Sequence, residues 1–358
     1  MRRKGAMYVT GIGTAAPPAR YTKAQCWEAF RHSAWYERLD QRAVLLVRAV
    51  LQRENGIEAR RLALDSLSEV FQVDPDTLQR RFELAAPDLA TQAAQQAMQA
   101  AALGVQDIDA VIVSTCTGYL CPGLSGYLSE RLGLPPGVSG YDLVGQGCAA
   151  ALPNMRLGEA LLASERCRHV LSVCVEISSA AIYLDNDPGV LISACLFGDG
   201  AGAAVLSGQP SARHRRIRWR DSETLLEPAA REALRFEQRR GMLRNVLTRE
   251  VPALAADSVS RVLDTVLSRA QLRTGQISAW IVHAGGRDVL QAIEQRLQLR
   301  PADLRYSAAT LREYGNLSSA FVYFVLRAAL ADTAPGGWWW LTAFGAGFSC
   351  HGALLEVM

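Results

Sequence analysis

Short apolar segments alternate along the chain with longer segments whose apolar residues recur at helical spacing. In the first half, the short segments favour buried strands because they are rich in small and β-branched residues. They lie at residues 7–17, 109–118, 168–178 and 198–208. The Ala-rich run at residues 90–105 is typical of a helix that packs on such strands. This alternation predicts an α/β architecture with helices on both faces of the strands.

The pattern partly repeats after a polar, proline-containing stretch near residue 210. Strands are predicted at residues 217–223, 278–286, 337–344 and 352–358, and helices at residues 258–272, 287–299 and 316–330. The sequences of the halves do not match, so the predicted repeat is structural. We therefore expect two units, residues 1–210 and 211–358.

Charge gives no reason to expect a nucleic-acid partner. The 358 residues carry 38 Lys and Arg against 35 Asp and Glu, a net charge of +3. The densest basic run, Arg213–Arg220, alternates arginine with other residues, as the exposed face of a strand does. No recognition motif accompanies it, so we expect a solvated or anion-attracting surface.

Apolar and cysteine patterns favour a cytoplasmic protein with no membrane span. No apolar run reaches the roughly 18 residues that a membrane helix needs, and the start of the chain has no signal-peptide core. The eight cysteines form no CxxC pair and have no metal-ligand spacing. We therefore expect neither a disulfide framework nor a metal site.

Cys148 is the first candidate for chemistry. It follows Gly145 and Gly147 after a predicted strand end and precedes a helix that Pro153 is expected to interrupt early. A thiol at such a strand-to-helix turn lies near the positive end of the helix dipole, which lowers a cysteine pKa. A nucleophile fits this position, and a small buried cysteine in an Ala-rich helix fits it too.

His283 is the candidate base among five histidines. It follows the apolar strand AWIV and precedes Gly285 and Gly286, so its ring would emerge at the carboxyl end of a strand. His32, His169 and His214 lie in polar segments, and His351 next to the last strand could also line a pocket. A packed or capping histidine is the alternative at position 283.

Asn316 supplies a third candidate, in the segment YGNLSSAFVYF. Its amide could face a substrate oxygen at the start of a helix lined with small residues. Asparagine is also a preferred helix N-cap, and this role is the alternative.

Together the segments GQGCAAA, VHAGGRDVL and YGNLSSA resemble the Cys, His and Asn motifs of the thiolase-fold condensing enzymes, and within them the type III polyketide synthases of the chalcone and stilbene synthase family. TCTGYLCPG (115–123) and LFGDGAGA (196–203) are similar to further family segments. Ala284 and Ala346 stand where the family has proline. The resemblance covers essentially the whole chain.

The resemblance implies a thiolase-like fold with two pseudo-repeated halves in an α-β-α-β-α core. It implies an acyltransferase that holds the starter acyl group of an acyl-CoA on Cys148. Malonyl-CoA would lose carbon dioxide while His283 and Asn316 stabilise the enolate, and the extended chain would cyclise to a pyrone, resorcinol or related phenolic product. It further implies a homodimer and no metal or redox cofactor.

Other site residues follow from the resemblance alone. Phe197 aligns with a family phenylalanine at the gate between the CoA tunnel and the cavity, and Asn245 replaces a second gate phenylalanine. Cys121 stands where plant enzymes have a methionine that reaches across the dimer. The remaining expected substrate-binding residues are Cys116, Thr117, Gly285, Gly286, Gly345, Ala346, Gly347, and Arg60 and Arg61 for CoA phosphates.

Two other functions stay open at this point. The motifs of 3-oxoacyl-carrier-protein synthase III, which performs a single condensation, share the Cys, His and Asn logic. A catalytically silent thiolase-fold partner is a second possibility because of Ala284 and Ala346. Starter, number of extensions and cyclisation route are not determined by these motifs.

Overall fold

The computed structural model describes residues 6–211 and 215–358. Within these ranges the strands are β1 Met7–Ala15, β2 Arg20–Thr22, β3 Ala59–Arg61, β4 Ala110–Ser114, β5 Ser139–Leu143, β6 His169–Glu176, β7 Gly200–Ser207, β8 Ile217–Leu226, β9 Leu234–Arg239, β10 Met242–Leu247, β11 Ile277–Val282, β12 Gly337–Gly345 and β13 Ser349–Val357. The α-helices are α1 Lys23–Arg31, α2 Trp35–Arg38, α3 Gln41–Gln52, α4 Pro75–Ala101, α5 Leu124–Leu132, α6 Ala151–Ala163, α7 Pro188–Leu196, α8 Val251–Ala270, α9 Arg287–Leu297, α10 Arg305–Tyr314 and α11 Phe321–Ala331.

The principal sheet has nine strands in the order β11-β12-β13-β8-β1-β7-β6-β4-β5. The two halves of the sheet come from different parts of the chain. They join where β1 pairs with β8, over Met7–Val9 and Ile217–Trp219. Strands β7, β6, β4 and β5 lie on one side of this seam, and β13, β12 and β11 lie on the other. The predicted boundary at residue 210 falls between β7 and β8, and the division into two units stays a prediction.

The two sides of the sheet repeat one pairing scheme. On the first side, β1 pairs antiparallel with β7, β7 antiparallel with β6, and β6 parallel with β4. On the second side, β8 pairs antiparallel with β13, β13 antiparallel with β12, and β12 parallel with β11. The expected structural repeat is therefore present although the sequences of the halves differ.

Helices cover both faces of the strands and also fill the space between the halves. Helices α4 and α5 pack on the outer face of the first side, and α8 packs on β8 and β13. Helices α6 and α11 are central, because α6 contacts β4, β6, β12 and β13, and α11 contacts β1, β7, β11 and β12. The order of layers is α-β-α-β-α, as predicted. Consequently the N-terminal ends of α6 and α11 meet in the middle of the molecule.

Buried apolar side chains explain most of the predicted strands. Trp339 and Trp340 on β12 have 0% exposed surface and belong to the larger core cluster, so the Trp run fills the core. On β8, Ile217 and Trp219 are buried while Arg220 is exposed, which confirms the predicted alternation there. Residues 213 and 214 of the basic run lie outside the described residues.

Two local predictions differ from the structure. Pro153 does not interrupt a helix, because α6 begins at Ala151 and proline is tolerated in a first helical turn. The hairpin β9–β10 was not predicted, because its strands mix apolar and polar residues without clear alternation and are mostly half-exposed. Its turn uses left-handed backbone at Arg240 (φ 53°) and Gly241 (φ 76°). Within the described ranges, no helix is long and apolar enough to cross a membrane.

Candidate active site

Cys148 lies in a tight turn that packs closely against neighbouring backbone. Gly147 has a left-handed φ of 53°, and a Cβ on it would lie 3.0 Å from the backbone nitrogen of Ala346. The 3-10 turn Gly147–Ala149 then leads into α6. The thiol therefore stands before the N-terminus of a central helix, as predicted, and its residue is 8% exposed.

The expected acidification of Cys148 is wrong. Burial raises the pKa of the Cys148 thiol to about 12, against the opposing effects of the Ser318 hydrogen bond and of a backbone hydrogen bond. The low polarity of the site outweighs the helix dipole because a charge loses its hydration there. At neutral pH Cys148 is thus a thiol, and a nucleophilic role would require a base nearby.

His283 follows β11 directly, and its backbone N–H donates to the Thr342 carbonyl oxygen at 2.9 Å. The ring has 0% exposed surface and lies edge-on to Phe321 and Phe344, with centroid distances of 5.3 and 5.0 Å. Neither ring nitrogen has a hydrogen-bond partner among the described residues. Burial lowers the pKa of His283 to about 3, so the ring is neutral at neutral pH and is a weaker base than an exposed imidazole.

Asn316 is held by both ends of its side chain. Its Oδ1 accepts from the Ser318 backbone N–H at 2.8 Å, and its Nδ2 donates to the Gly285 carbonyl oxygen at 3.1 Å. Asn316 is not the helix N-cap that was the alternative, because Leu317 precedes the 3-10 turn and Ala320 precedes α11; the bond to Ser318 instead closes an Asx turn. One Nδ2 hydrogen remains for a substrate, since an amide nitrogen carries two.

These three side chains line one cavity of about 580 Å³. Gly285, Gly286, Phe197 and Asn245 also line it, as predicted from the resemblance, together with Phe344, which the motifs did not single out. Cys148 comes from the start of one central helix, Asn316 from the start of the other, and His283 from the end of β11. The cavity is large enough for a drug-sized ligand.

A buried polar cluster extends behind Cys148 and was not predicted. The Ser318 hydroxyl donates to Cys148 Sγ at 3.2 Å and lies 3.3 Å from Cys116 Sγ. The Cys116 thiol donates to Glu176 at 3.3 Å, and Glu176 also accepts from the Thr117 hydroxyl at 2.9 Å. Burial raises the pKa of Glu176. Sequence gave no signal for Glu176, because it ends an otherwise apolar strand.

A second, inner chamber of about 30 Å³ adjoins the first. Cys116 and Thr117 line this chamber and not the large cavity. Phe197 and Asn245 line both and so form the boundary between the chambers, which is called the passage below. Asn245 donates through Nδ2 to the Ser193 hydroxyl at 2.9 Å, and its Oδ1 has no partner among the described residues.

The segment 345–347, at the end of β12, passes close to the Cys148 turn. A Cβ on Gly345 would lie 2.6 Å from the Gln146 carbonyl oxygen and 2.7 Å from the Ala149 nitrogen. Gly345, Ala346 and Gly347 do not line the large cavity. Gly345 and Ala346 pack against the Cys148 turn instead, and the Gly347 N–H donates to the Leu234 carbonyl oxygen at 3.2 Å; this corrects their expected place beside the substrate.

Arg60, Arg61 and Cys121 also lie away from the large cavity. Arg60 is only 6% exposed and donates to backbone carbonyls, while Arg61 pairs with Glu313 at 3.0 Å. Neither lines the large cavity, which differs from the phosphate-binding role that the resemblance implied for them. Cys121 is exposed. The arginines that line the large cavity are Arg53, Arg249 and Arg287.

His32, His169 and His351, the other histidines in the described part of the chain, do not line the large cavity. His32 is exposed, and His169 is half-buried with its Nδ1 2.8 Å from the Ser207 hydroxyl. His351 is buried, with its Nδ1 3.0 Å from the Thr224 hydroxyl. His214 lies outside the described residues. Among the described histidines, only His283 lines the large cavity.

Comparison with known proteins gives the same assignment over the whole chain. Residues 1–281 match the family described as FAE1/Type III polyketide synthase-like protein, and residues 222–358 match the C-terminal domain of chalcone and stilbene synthases. The 3,5-dihydroxyphenylacetyl-CoA synthase of Amycolatopsis balhimycina is 30% identical, with 97% of this chain and 92% of the relative covered. The synthase of the same name from Streptomyces toyocaensis is 28% identical over 97% and 89%.

Solved structures agree on the fold. PKS-I from the brown alga Ectocarpus siliculosus superposes with a TM-score of 0.90 at 24% identity, covering 100% of both chains. The C-terminal type III polyketide synthase domain of Dictyostelium Steely1 gives 0.86 at 24% identity, covering 98% of this chain and 99% of that one. The fold is thus thiolase-like, and the chain belongs to the type III polyketide synthase family, a family of acyltransferases that includes the chalcone and stilbene synthases.

Proposed function

We propose that this protein condenses malonyl-CoA onto an acyl group held as a thioester on Cys148 and releases a phenolic product. The observation that carries the proposal is the convergence of Cys148, His283 and Asn316 on the wall of one cavity of about 580 Å³. Three elements distant in sequence bring together a nucleophile, a neutral base and an amide donor.

In the proposed loading step, the Cys148 thiol attacks the thioester carbonyl of an acyl-CoA. His283 takes the thiol proton as the carbon–sulfur bond forms, and the CoA thiolate leaves with that proton. Burial keeps His283 neutral because it lowers the pKa to about 3; since this makes the ring a weak base, it takes the proton only in concert with formation of the carbon–sulfur bond. The Ser318 hydroxyl donates to the same sulfur and would stabilise charge on it.

In the proposed extension step, malonyl-CoA loses carbon dioxide and leaves an enolate. The free Nδ2 hydrogen of Asn316 and a ring N–H of neutral His283 donate to the enolate oxygen, an oxyanion-hole arrangement. The enolate carbon attacks the acyl thioester, and Cys148 leaves as the thiolate. The chain is then carried by CoA and can load again. Protein side chains serve every step, so the proposal includes no metal or redox cofactor.

The substrate phosphates need a basic surface, and the cavity mouth supplies one. Arg53 and Arg249 line the cavity and are exposed, so their guanidinium groups can reach the phosphates of a CoA whose thioester enters the cavity. We assign CoA binding to these residues in place of Arg60 and Arg61.

The relatives suggest the class of product. Because relatives at 28% and 30% identity are named 3,5-dihydroxyphenylacetyl-CoA synthases, we propose a resorcinol-type ring as the product of this chain.

A homodimer in the cytoplasm is part of the proposal. Edge strand β5 ends beside Val144, which is 67% exposed, and Tyr119 near Cys121 is 70% exposed. Apolar side chains at an open sheet edge are typical of a surface that another chain covers. All eight cysteines are free, which fits a reducing compartment. Light scattering during size-exclusion chromatography tests the dimer.

Product analysis tests the function. The purified protein is incubated with malonyl-CoA alone and with short- and long-chain acyl-CoAs, and products are identified by mass spectrometry. We expect a resorcinol or pyrone from several condensations, and none from Cys148→Ala. A single β-ketoacyl product would indicate a synthase III-like enzyme. Absence of decarboxylation would indicate a silent partner, and an unchanged yield from Cys148→Ala would contradict the mechanism.

A further inference from the structure

Arg60 is a buried arginine whose contacts differ from those of an ordinary ion pair. It is 6% exposed, and among the described residues it forms no salt bridge. Its Nη1 donates to the carbonyl oxygens of Ala194 at 2.7 Å and Phe197 at 2.9 Å. Its Nη2 donates to Cys26 Sγ at 3.4 Å. A buried cation is costly unless its donors are satisfied, so this arrangement calls for a reason.

The two carbonyls belong to the C-terminal end of α7. The last carbonyls of a helix lack N–H partners and carry the negative end of the dipole. The Arg60 guanidinium supplies both the missing donors and the compensating charge. It therefore fixes the end of α7, where Leu196 is the last helical residue and Phe197 follows.

This helix end touches the active site in two ways. The Phe197 side chain stands at the passage between the large cavity and the inner chamber. The Leu196 carbonyl accepts the Asn316 backbone N–H at 2.9 Å, and the Gly198 N–H donates to the Asn316 carbonyl at 3.0 Å. One short segment thus holds both the passage residue and the main chain of the amide donor.

Arg60 also contacts the neighbour of Asn316 directly. A Cβ on Gly315 would lie 3.0 Å from Arg60 Cγ and 2.6 Å from the Leu196 carbonyl oxygen. Gly315 has a left-handed φ of 71°, so the chain turns tightly against the arginine stem. A shift of Arg60 or of the end of α7 must therefore move residue 316 as well.

We propose that Arg60 is a positioning residue for the condensation, which fixes Phe197 at the passage and Asn316 at the enolate and thereby sets how far the growing chain is extended. Arg60 lines the inner chamber but not the large cavity. Its loss should consequently alter extension and product distribution more than starter loading. The inference rests on the proposed condensation.

The test uses Arg60→Ala and Arg60→Lys in the full-length protein, with Arg215→Ala as a matched control. Arg215 also donates to a backbone carbonyl, that of Ala334 at 2.6 Å, and it lies over the Trp339 ring, far from the passage. Readouts are product distribution, kcat, KM for malonyl-CoA, single-turnover acylation of Cys148 and thermal stability.

We expect Arg60→Ala to lower kcat for the full-length product by about 100-fold, the effect of a misplacement of roughly 1 Å, and to increase prematurely released products. KM and acylation of Cys148 should change little. Free guanidinium ion, below its denaturing range, should restore product distribution in Arg60→Ala, because it can occupy the vacated space. Arg60→Lys should give an intermediate distribution, since one ammonium group cannot satisfy both carbonyls in the same geometry.

Unchanged product distribution and kcat in folded Arg60→Ala would overturn the inference. So would a loss without guanidinium rescue that Arg215→Ala reproduces at equal stability, because the role would then be structural only. If Arg60→Ala does not fold, a wild-type distribution from Arg60→Lys overturns it. A wild-type protein that makes no product contradicts the proposed function, whereas an active wild type with unaltered Arg60 variants contradicts only this inference.

Discussion

Replacement of Asn316 by alanine should separate loading of the enzyme from decarboxylation. The side chain makes two hydrogen bonds inside the protein, to the Ser318 N–H and to the Gly285 carbonyl oxygen, and it is 2% exposed. At about 1 kcal/mol for each bond, the free energy of unfolding should fall by about 2 kcal/mol. Loss of one oxyanion donor should lower the decarboxylation rate by about 100- to 1000-fold.

The assay measures the two steps independently. Release of labelled carbon dioxide from malonyl-CoA reports decarboxylation, and mass spectrometry after a single turnover reports acylation of Cys148. We expect acylation to remain near the wild-type rate, because the nucleophile and its base are retained. Denaturant unfolding reports the stability change.

Asn154→Ala is the matched control. Asn154 is a fully buried asparagine on α6 whose side chain makes three hydrogen bonds, from the Ser114 hydroxyl at 2.7 Å, to the Val173 carbonyl oxygen at 3.0 Å and to Cys174 Sγ at 3.6 Å. It does not line the cavity. If Asn154→Ala slows decarboxylation as much as Asn316→Ala, or if Asn316→Ala decarboxylates at the wild-type rate, the assignment of Asn316 as an enolate donor is refuted.

Three further predictions concern the thiol, its support and the CoA site. Since the raised pKa of Cys148, about 12, leaves it protonated at neutral pH, its alkylation by iodoacetamide should accelerate roughly tenfold per pH unit between about pH 6 and 9; a plateau would show that a thiolate already exists. Gly345→Ala should distort the Cys148 turn and slow acylation, whereas Gly275→Ala, with open space around it, should not; equal acylation rates in the two variants would contradict the packing argument. Arg249→Ala should raise KM for malonyl-CoA about 3- to 10-fold with little change in kcat, the effect of about 1 kcal/mol of uniform binding; an unchanged KM would exclude a phosphate contact.

The strands of the buried sheet were predictable because burial on both faces leaves long apolar runs. Residues 168–178 and 198–208 became β6 and β7 for this reason. The hairpin β9–β10 was not predictable in the same way, since its half-exposed strands carry mixed residues. It nevertheless supplies Asn245 to the passage between the chambers.

Sequence determined which residues could do the chemistry, because Cys148, His283 and Asn316 stand in short motifs with few alternatives. Tertiary structure decided what surrounds them. Burial reversed the expected acidity of Cys148 and kept His283 neutral, and neither effect can be derived from spacing. In the structure, Arg60 lies at the end of α7 and not at the expected phosphate site. The sequence does not distinguish a surface arginine from a buried one, because burial depends on how distant segments pack together.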